Sequence, residues 1–169
     1  MLGLFQQPAK GWAVRFLLYD RVLRLDKGKS ILGVKSFALS EEFHRGHFGR
    51  IALVPGVMLI EAMAQLLGWL IICSHDFTVS PIMSLVEGVS LRPRLRPGFQ
   101  AQIEAEITST SSKDSLGKAR MSVGGEVIAS MDRIIYSHFP AGDPADLRDR
   151  FRYYSGLPGP VDGTEAGAS

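Results

Sequence analysis

Apolar and polar residues change rhythm three times along the chain. Residues 21–25 and 30–39 are rich in β-formers and are separated by Asp26-Lys27-Gly28-Lys29, a turn-forming tetrad, so a hairpin is expected. Residues 57–73 form an apolar run in which only Glu61 and Gln65 are strongly polar, and Pro55 precedes it at a position suited to opening a helix. A helix apolar on every side must be enclosed by other structure. Phe99, Ala101, Ile103, Ala105 and Ile107 then alternate with polar residues, the period-two mark of a strand with one wet face. Residues 111–117 read as a polar turn and residues 118–123 as a further strand. Gly124-Gly125 reads as a tight turn into a long strand over residues 126–139, and residues 85–92 as one more strand after the helix. Two strands, one buried helix and about four antiparallel strands imply an α+β fold, a sheet curled around a single helix.

Composition leaves that picture intact and narrows the function. Of 169 residues, 46% are hydrophobic and 21% charged, ordinary values for one globular domain. A net charge of +2 does not mark a nucleic-acid binder, and the one basic cluster, Arg92, Arg94 and Arg96, has no interleaved aromatic platform. The single cysteine, Cys73, has no partner for an internal disulfide, so a reducing, cytoplasmic setting is expected. Residues 1–19 do not read as a signal peptide, and a carboxylate in mid-run argues against residues 57–73 as a membrane span. Residues 140–169 differ in composition from what precedes them. Asp143-Pro144 is a helix start that would carry Leu147, Phe151 and Tyr154, and a Gly- and Pro-rich, disordered tail is expected after Ser155. The division expected is therefore a domain over 1–139 and an extension over 140–169.

The chemistry concentrates in residues 46–65, GHFGRIALVPGVMLIEAMAQ. His47 lies in a loop and Glu61 in the helix, 61 − 47 = 14 residues later. A carboxylate on an apolar helix must be paired, protonated or turned toward a cavity, because burying it alone is costly. Gln65 lies one turn beyond Glu61 on the same face, within reach of a hydrogen bond. Gly56 falls in the first helical turn, where free backbone N–H groups favour a developing oxyanion. His44 lies three residues from His47, but His75 and His138 are far off in sequence and Cys73 sits in the apolar run, so no metal site is expected.

GHF at residues 46–48, VPGV at 54–57 and IEAMAQ at 60–65 resemble the (3R)-hydroxyacyl-acyl-carrier-protein dehydratases of the FabZ/FabA type. The likeness continues in FLLYDRV at 16–22, LRPRLRPG at 91–98 and GEVIA at 125–129, covering about residues 15–139. The resemblance implies a hot-dog fold and elimination of water from a 3-hydroxyacyl thioester, without metal or organic cofactor. It implies that His47 takes the C2 proton, that Glu61 protonates the departing hydroxyl, that Gly56 N–H polarises the thioester carbonyl and that Gln65 holds Glu61. Histidine and carboxylate of one site would come from two subunits of a dimer, and such dimers often associate as trimers of dimers. The substrate would be carried by acyl carrier protein or coenzyme A, with Arg92, Arg94 and Arg96 a docking surface for an acidic carrier. Gly49 and Ala52 stand where the family has prolines, with Arg50-Ile51 between them, which leaves tunnel shape and subfamily open. Two rival readings are a different hot-dog thioester enzyme, either thioesterase or enoyl hydratase, and a non-catalytic acyl-binding subunit.

Overall fold

The computed structural model describes residues 16–41 and 51–158. His47, His44, Gly49, residues 1–15 and residues 159–169 lie outside the described residues, and residues 16–20 are the described lead-in to the first strand. Six antiparallel strands form one sheet in the order β1-β2-β4-β5-β6-β3: β1 Arg21–Asp26, β2 Ser30–Phe37, β3 Val79–Leu91, β4 Phe99–Thr110, β5 Asp114–Val123 and β6 Glu126–Pro140. Helix α1, Gly56–Ser74, links β2 to β3, and α2, Pro144–Ser155, follows the last strand.

Topology explains why the apolar helix is enclosed. Strand β2 is second from one edge of the sheet and β3 is the opposite edge, so their connection must cross four inter-strand gaps, roughly 19 Å at sheet spacing. A 19-residue helix of about 28 Å makes the crossing in one element. It lies in the curl of the sheet, with Leu59, Ala62, Met63, Leu66, Leu67, Leu70 and Ile71 almost wholly buried. This is the hot-dog arrangement. By length and composition α1 would also pass for a membrane span, but here it is the buried core helix.

The strands that meet α1 carry small residues on the inner face: Gly33 on β2, Ala101 and Ala105 on β4, Gly117 and Ala119 on β5. Two of these set the distance of approach. A β-carbon at Gly33 would stand 3.1 Å from the Leu66 methyls and 3.0 Å from the Arg21 carbonyl. At Gly117 it would stand 2.9 Å from Leu67 Cδ2 and 2.6 Å from the Glu106 carbonyl oxygen. Outer-face residues pair by charge directly across the ladders. Arg120 Nε donates to Glu104 at 2.8 Å, Lys118 pairs with Glu106 at 3.0 Å and Arg133 with Glu87 at 2.8 Å. On the inner side of β2, Lys35 is only 6% exposed and is held by Glu41 at 2.7 Å and Asp20 at 3.4 Å, so its charge is compensated.

Several element boundaries differ from those the residue pattern suggests. Pro55 is the N-cap of α1, with extended backbone, and Gly56 is the first helical residue. Strand β3 begins at Val79, six residues before the expected start at 85, because β6 offers it ladder partners as far as Pro140. Strand β5 begins at Asp114; the turn is confined to Ser111, Ser112 and Lys113, and the polar residues after it pair with β4 and β6. Gly124 and Gly125, both at positive φ, make the β5–β6 turn as expected.

Helix α2 is specified at both ends. Asp143 caps it by accepting from Ala145 N at 2.9 Å, Pro144 takes the first turn and Gly156 closes it at φ 65°. Its Phe151 is fully buried, 5.3 Å between ring centroids from Trp69 of α1 and 6.2 Å from Phe77. Leu147, Tyr154 and Leu157 pack against the same core.

Replacing Gly117 by Ala is expected to destabilise the fold by about 1–3 kcal/mol, since the backbone oxygen on one side and Leu67 on the other both resist movement. Urea unfolding, with the slope unchanged and the midpoint lowered, is the measurement.

Candidate functional site

Glu61 and Gln65 are one turn apart on the face of α1 that the sheet leaves uncovered. The backbone of the chain's lead-in dictates how the Gln65 amide is turned. Leu18 N–H donates to Gln65 Oε1 at 2.9 Å and the Phe16 carbonyl accepts from Nε2 at 3.2 Å. With the oxygen end taken by an N–H donor, the amide nitrogen must face the carboxyl group, and it donates to Glu61 Oε1 at 3.0 Å. Glu61 is thereby fixed in direction by a residue that is itself anchored to main chain on both of its atoms.

The Glu61 carboxyl opens onto a cavity of about 460 Å³, bounded by α1 (Glu61, Ala64, Gln65, Gly68, Trp69, Ile72), the lead-in (Phe16, Leu17), the start of β3 (Pro81, Ile82, Met83) and Tyr136 of β6. The walls beyond Glu61 and Gln65 are almost wholly apolar. Tyr136 is buried and donates its hydroxyl to the Ala64 carbonyl at 2.7 Å. Burial raises its phenol well above the usual range, and the nearby Glu61 charge raises it further, so it stays neutral. Cys73, buried in the same helix, has its thiol pushed up to about 12 by burial and is inert as a nucleophile.

Gly56 lines a different cavity. A volume of about 550 Å³ lies at the N-terminus of α1 between Ile51, Leu53, Val54, Pro55 and Gly56 on one side and Leu91, Arg92, Pro93 and Arg94 on the other. Val54 N–H donating to the Leu95 carbonyl at 2.8 Å ties the two walls together. A β-carbon at Gly56 would meet Leu91 Cδ1 at 2.8 Å, so glycine allows the helix start to lie against the end of β3. The chain thus brings Glu61 and Gln65 together and sets Gly56 at a separate opening. His47, the partner expected for Glu61, lies outside the described residues.

The arginine cluster occupies a turn between β3 and β4, with Arg94 at φ 56°. Arg92, Arg94 and Arg96 are all exposed, and Arg92 is ion-paired with Glu126. His75 and His138, far apart in sequence, are close in space. Their rings meet edge to face at 4.8 Å, and a hydrogen-bonded chain runs from His75 through Thr110 and Ser115 to His138 with steps of 2.7, 2.7 and 2.9 Å. Burial and the neighbouring His75 lower the His138 pKa. Among the described residues no three His, Cys, Asp or Glu side chains are placed to hold a metal. Sequence reasoning did not find Tyr136, Trp69 or Gly68 as parts of the Glu61 cavity. Helical spacing from Glu61 marks 65, 68 and 72 as sharing its face, whereas Tyr136 is brought there only by sheet order.

Known proteins place this architecture. The FabA-like domain model matches residues 13–132. The 3-hydroxyacyl-acyl-carrier-protein dehydratase FabZ of Bacillus cytotoxicus is 33% identical over 119 residues, 69% of this chain and 82% of that protein. FabZ of Bacillus thuringiensis is 34% identical over 114 residues, 66% of this chain and 78% of its own length. Among solved structures, the dehydratase heterocomplex ApeI:P of Xenorhabdus doucetiae superposes with a TM-score of 0.59 at 15% identity, over 72% of this chain and 82% of that one. A thioesterase of Pseudomonas aeruginosa gives 0.55 at 16% identity, over 71% of this chain and 81% of that one. At such identities the two structures show the shared fold and leave the chemistry open. The sequence matches are what discriminate, and by them this chain belongs to the FabA-like family of hot-dog dehydratases.

Proposed function

We propose that the protein eliminates water from (3R)-3-hydroxyacyl thioesters carried on acyl carrier protein, giving trans-2-enoyl thioesters in fatty-acid or related acyl-chain synthesis. The observation that carries this reading is the Glu61 carboxyl, clamped by Gln65 at the mouth of an apolar cavity, in a chain whose curated relatives are FabZ dehydratases.

Elimination next to a thioester carbonyl needs a base for the C2 proton, an acid for the C3 hydroxyl and a donor for the oxygen that gains charge. In this reading His47 removes the C2 proton, the C2–H electron pair becomes the new C2–C3 double bond and the C3–O bond breaks as Glu61 supplies a proton to form water. Gly56 N–H, at the positive end of α1, carries the charge on the thioester oxygen. Gln65 acts on Glu61 alone, as a positioning residue. No step calls for a metal or an organic cofactor.

The separation of Gly56 and Glu61 into two openings of one protomer supports a site completed by a second copy. So does β3, an edge strand with Ile82, Met83, Leu85 and Val89 exposed. An unpaired apolar edge of this length calls for a partner strand. We therefore propose a homodimer, with association into a trimer of dimers as its further assembly. The catalytic body is residues 1–139 and the extension 140–169, and a reducing cytoplasm is the setting proposed. The exposed arginines at 92, 94 and 96 are the proposed contact for an acidic carrier.

Hydration of crotonyl thioester, followed by loss of enoyl absorbance, tests the chemistry. His47→Ala and Glu61→Gln are each expected to lose about 100-fold or more, and equal rates in all three proteins would remove the assignment. Mixing the two inactive variants after reversible dissociation tests the shared site. Random reassortment of a two-fold dimer should restore about one quarter of wild-type activity, because half the dimers then hold one intact site of two; no recovery would place both groups in one subunit. Arg94→Glu with Arg96→Glu is expected to raise KM for a carrier-protein thioester at low salt while leaving KM for a small soluble thioester unchanged.

A further inference from the structure

The connection from α1 to β3 is strained. Asp76 and Phe77 stand at φ 52° and 64°, successive left-handed residues that carry a steric cost for side chains of this kind. Such backbone persists only where its surroundings hold it. Phe77 is buried against Phe151, and Asp76 is ion-paired at 2.6 Å with Lys27 of the β1–β2 turn. His75, the residue before them, is tied through Thr110 and Ser115 to His138 near the end of β6. The backbone N–H groups of residues 75–78 all donate to carbonyls of residues 71–75.

We propose that His75, Thr110, Ser115 and His138 form a pH-sensitive clasp on the α1–β3 turn, closed while at least one imidazole is neutral and opened when acid protonates both. Three hydrogen bonds join the four side chains in series. The two hydroxyls supply two protons, so one imidazole Nε2 donates the third and the other accepts. Protonating the accepting Nε2 as well displaces a hydroxyl proton from the series. It also sets two cations against each other, because the rings meet at 4.8 Å. Asp114 of β5 acts on His138 and Asp76 of the turn acts on His75, but Asp76 is already engaged by Lys27 and acted on by Arg148 of α2. Lys113, whose carbonyl accepts from His138 N–H at 2.7 Å, adds a further cation in the β4–β5 turn. Among the described residues that leaves Asp114 to balance one imidazolium and no carboxylate for a second. The two rings therefore titrate as a pair. Burial and the adjacent His75 hold His138 below the ordinary imidazole range. The stabilisation is thus complete above about pH 6.5 and falls away as the pH drops below it. Acid would loosen the junction of core helix and edge strand before the sheet itself, a device separate from the chemistry at Glu61.

Hydrogen–deuterium exchange of the full chain at pH 7 and pH 5, corrected for intrinsic exchange rates and expressed as opening equilibria, tests this in wild type, His138→Gln and Thr110→Val. In wild type the amides of residues 75–78 are expected to open about tenfold more at pH 5, the effect of losing one buried hydrogen bond. Amides of β4 at residues 101–105 should change less than about twofold, as core strands open only with the whole fold. Glutamine at 138 keeps a donor for Ser115 but does not ionise, so the response of that variant should be flat. Valine at 110 breaks the series at any pH, so residues 75–78 should already be open at pH 7 and respond little to acid. Unchanged protection of residues 75–78 in wild type, an equal loss over β4, or a wild-type-sized response in either folded variant would overturn the clasp. None of those outcomes bears on the dehydratase assignment.

Discussion

Helix α1 has no hydrophilic face to turn to water, so it exists only inside something. Everything else in the molecule answers that condition. The sheet supplies five strands in contact with the helix and lines the contact with small residues. Leu66 and Leu67 settle directly over Gly33 and Gly117. The lead-in and α2 cover part of what the sheet leaves bare. Burial of such side chains contributes about 1.5–3 kcal/mol each, and the small floor beneath them is what allows the approach.

The same condition gives the carboxyl group its character. A glutamate on an enclosed helix is held in place by its surroundings to a degree that a surface glutamate is not. Gln65 reads the main chain at Leu18 and Phe16 and passes that orientation to Glu61. The structural and chemical roles of α1 are therefore served by opposite faces of one rod, packing on one side and an apolar cavity with an acid at its mouth on the other.

The helix, the hairpin before it and the alternation in β4 were legible in the residues, because each rests on local period and turn chemistry. Asp143-Pro144 marked α2 for the same reason, through its cap. The early starts of β3 and β5 were not legible: Pro81 and Ser115 carry little strand preference, and their pairing is decided by β6 alongside. Within the candidate site, the spacing of Glu61 and Gln65 announced their hydrogen bond. Tyr136 and the approach of His75 to His138 depend on strand order, which no short window of sequence contains.

Strand β6 sits between β5 and β3 with ladders on both sides, and Phe151 fills the core after it. During synthesis these parts emerge after α1. Helix α1 leaves the ribosome some sixty residues before the strand that completes its enclosure, so the nascent chain carries an uncovered greasy rod while those residues are added. At ordinary elongation rates of about 5–20 residues per second, that exposure lasts for seconds. Production of this protein in quantity is accordingly governed by what shields a half-made chain as much as by the stability of the finished one.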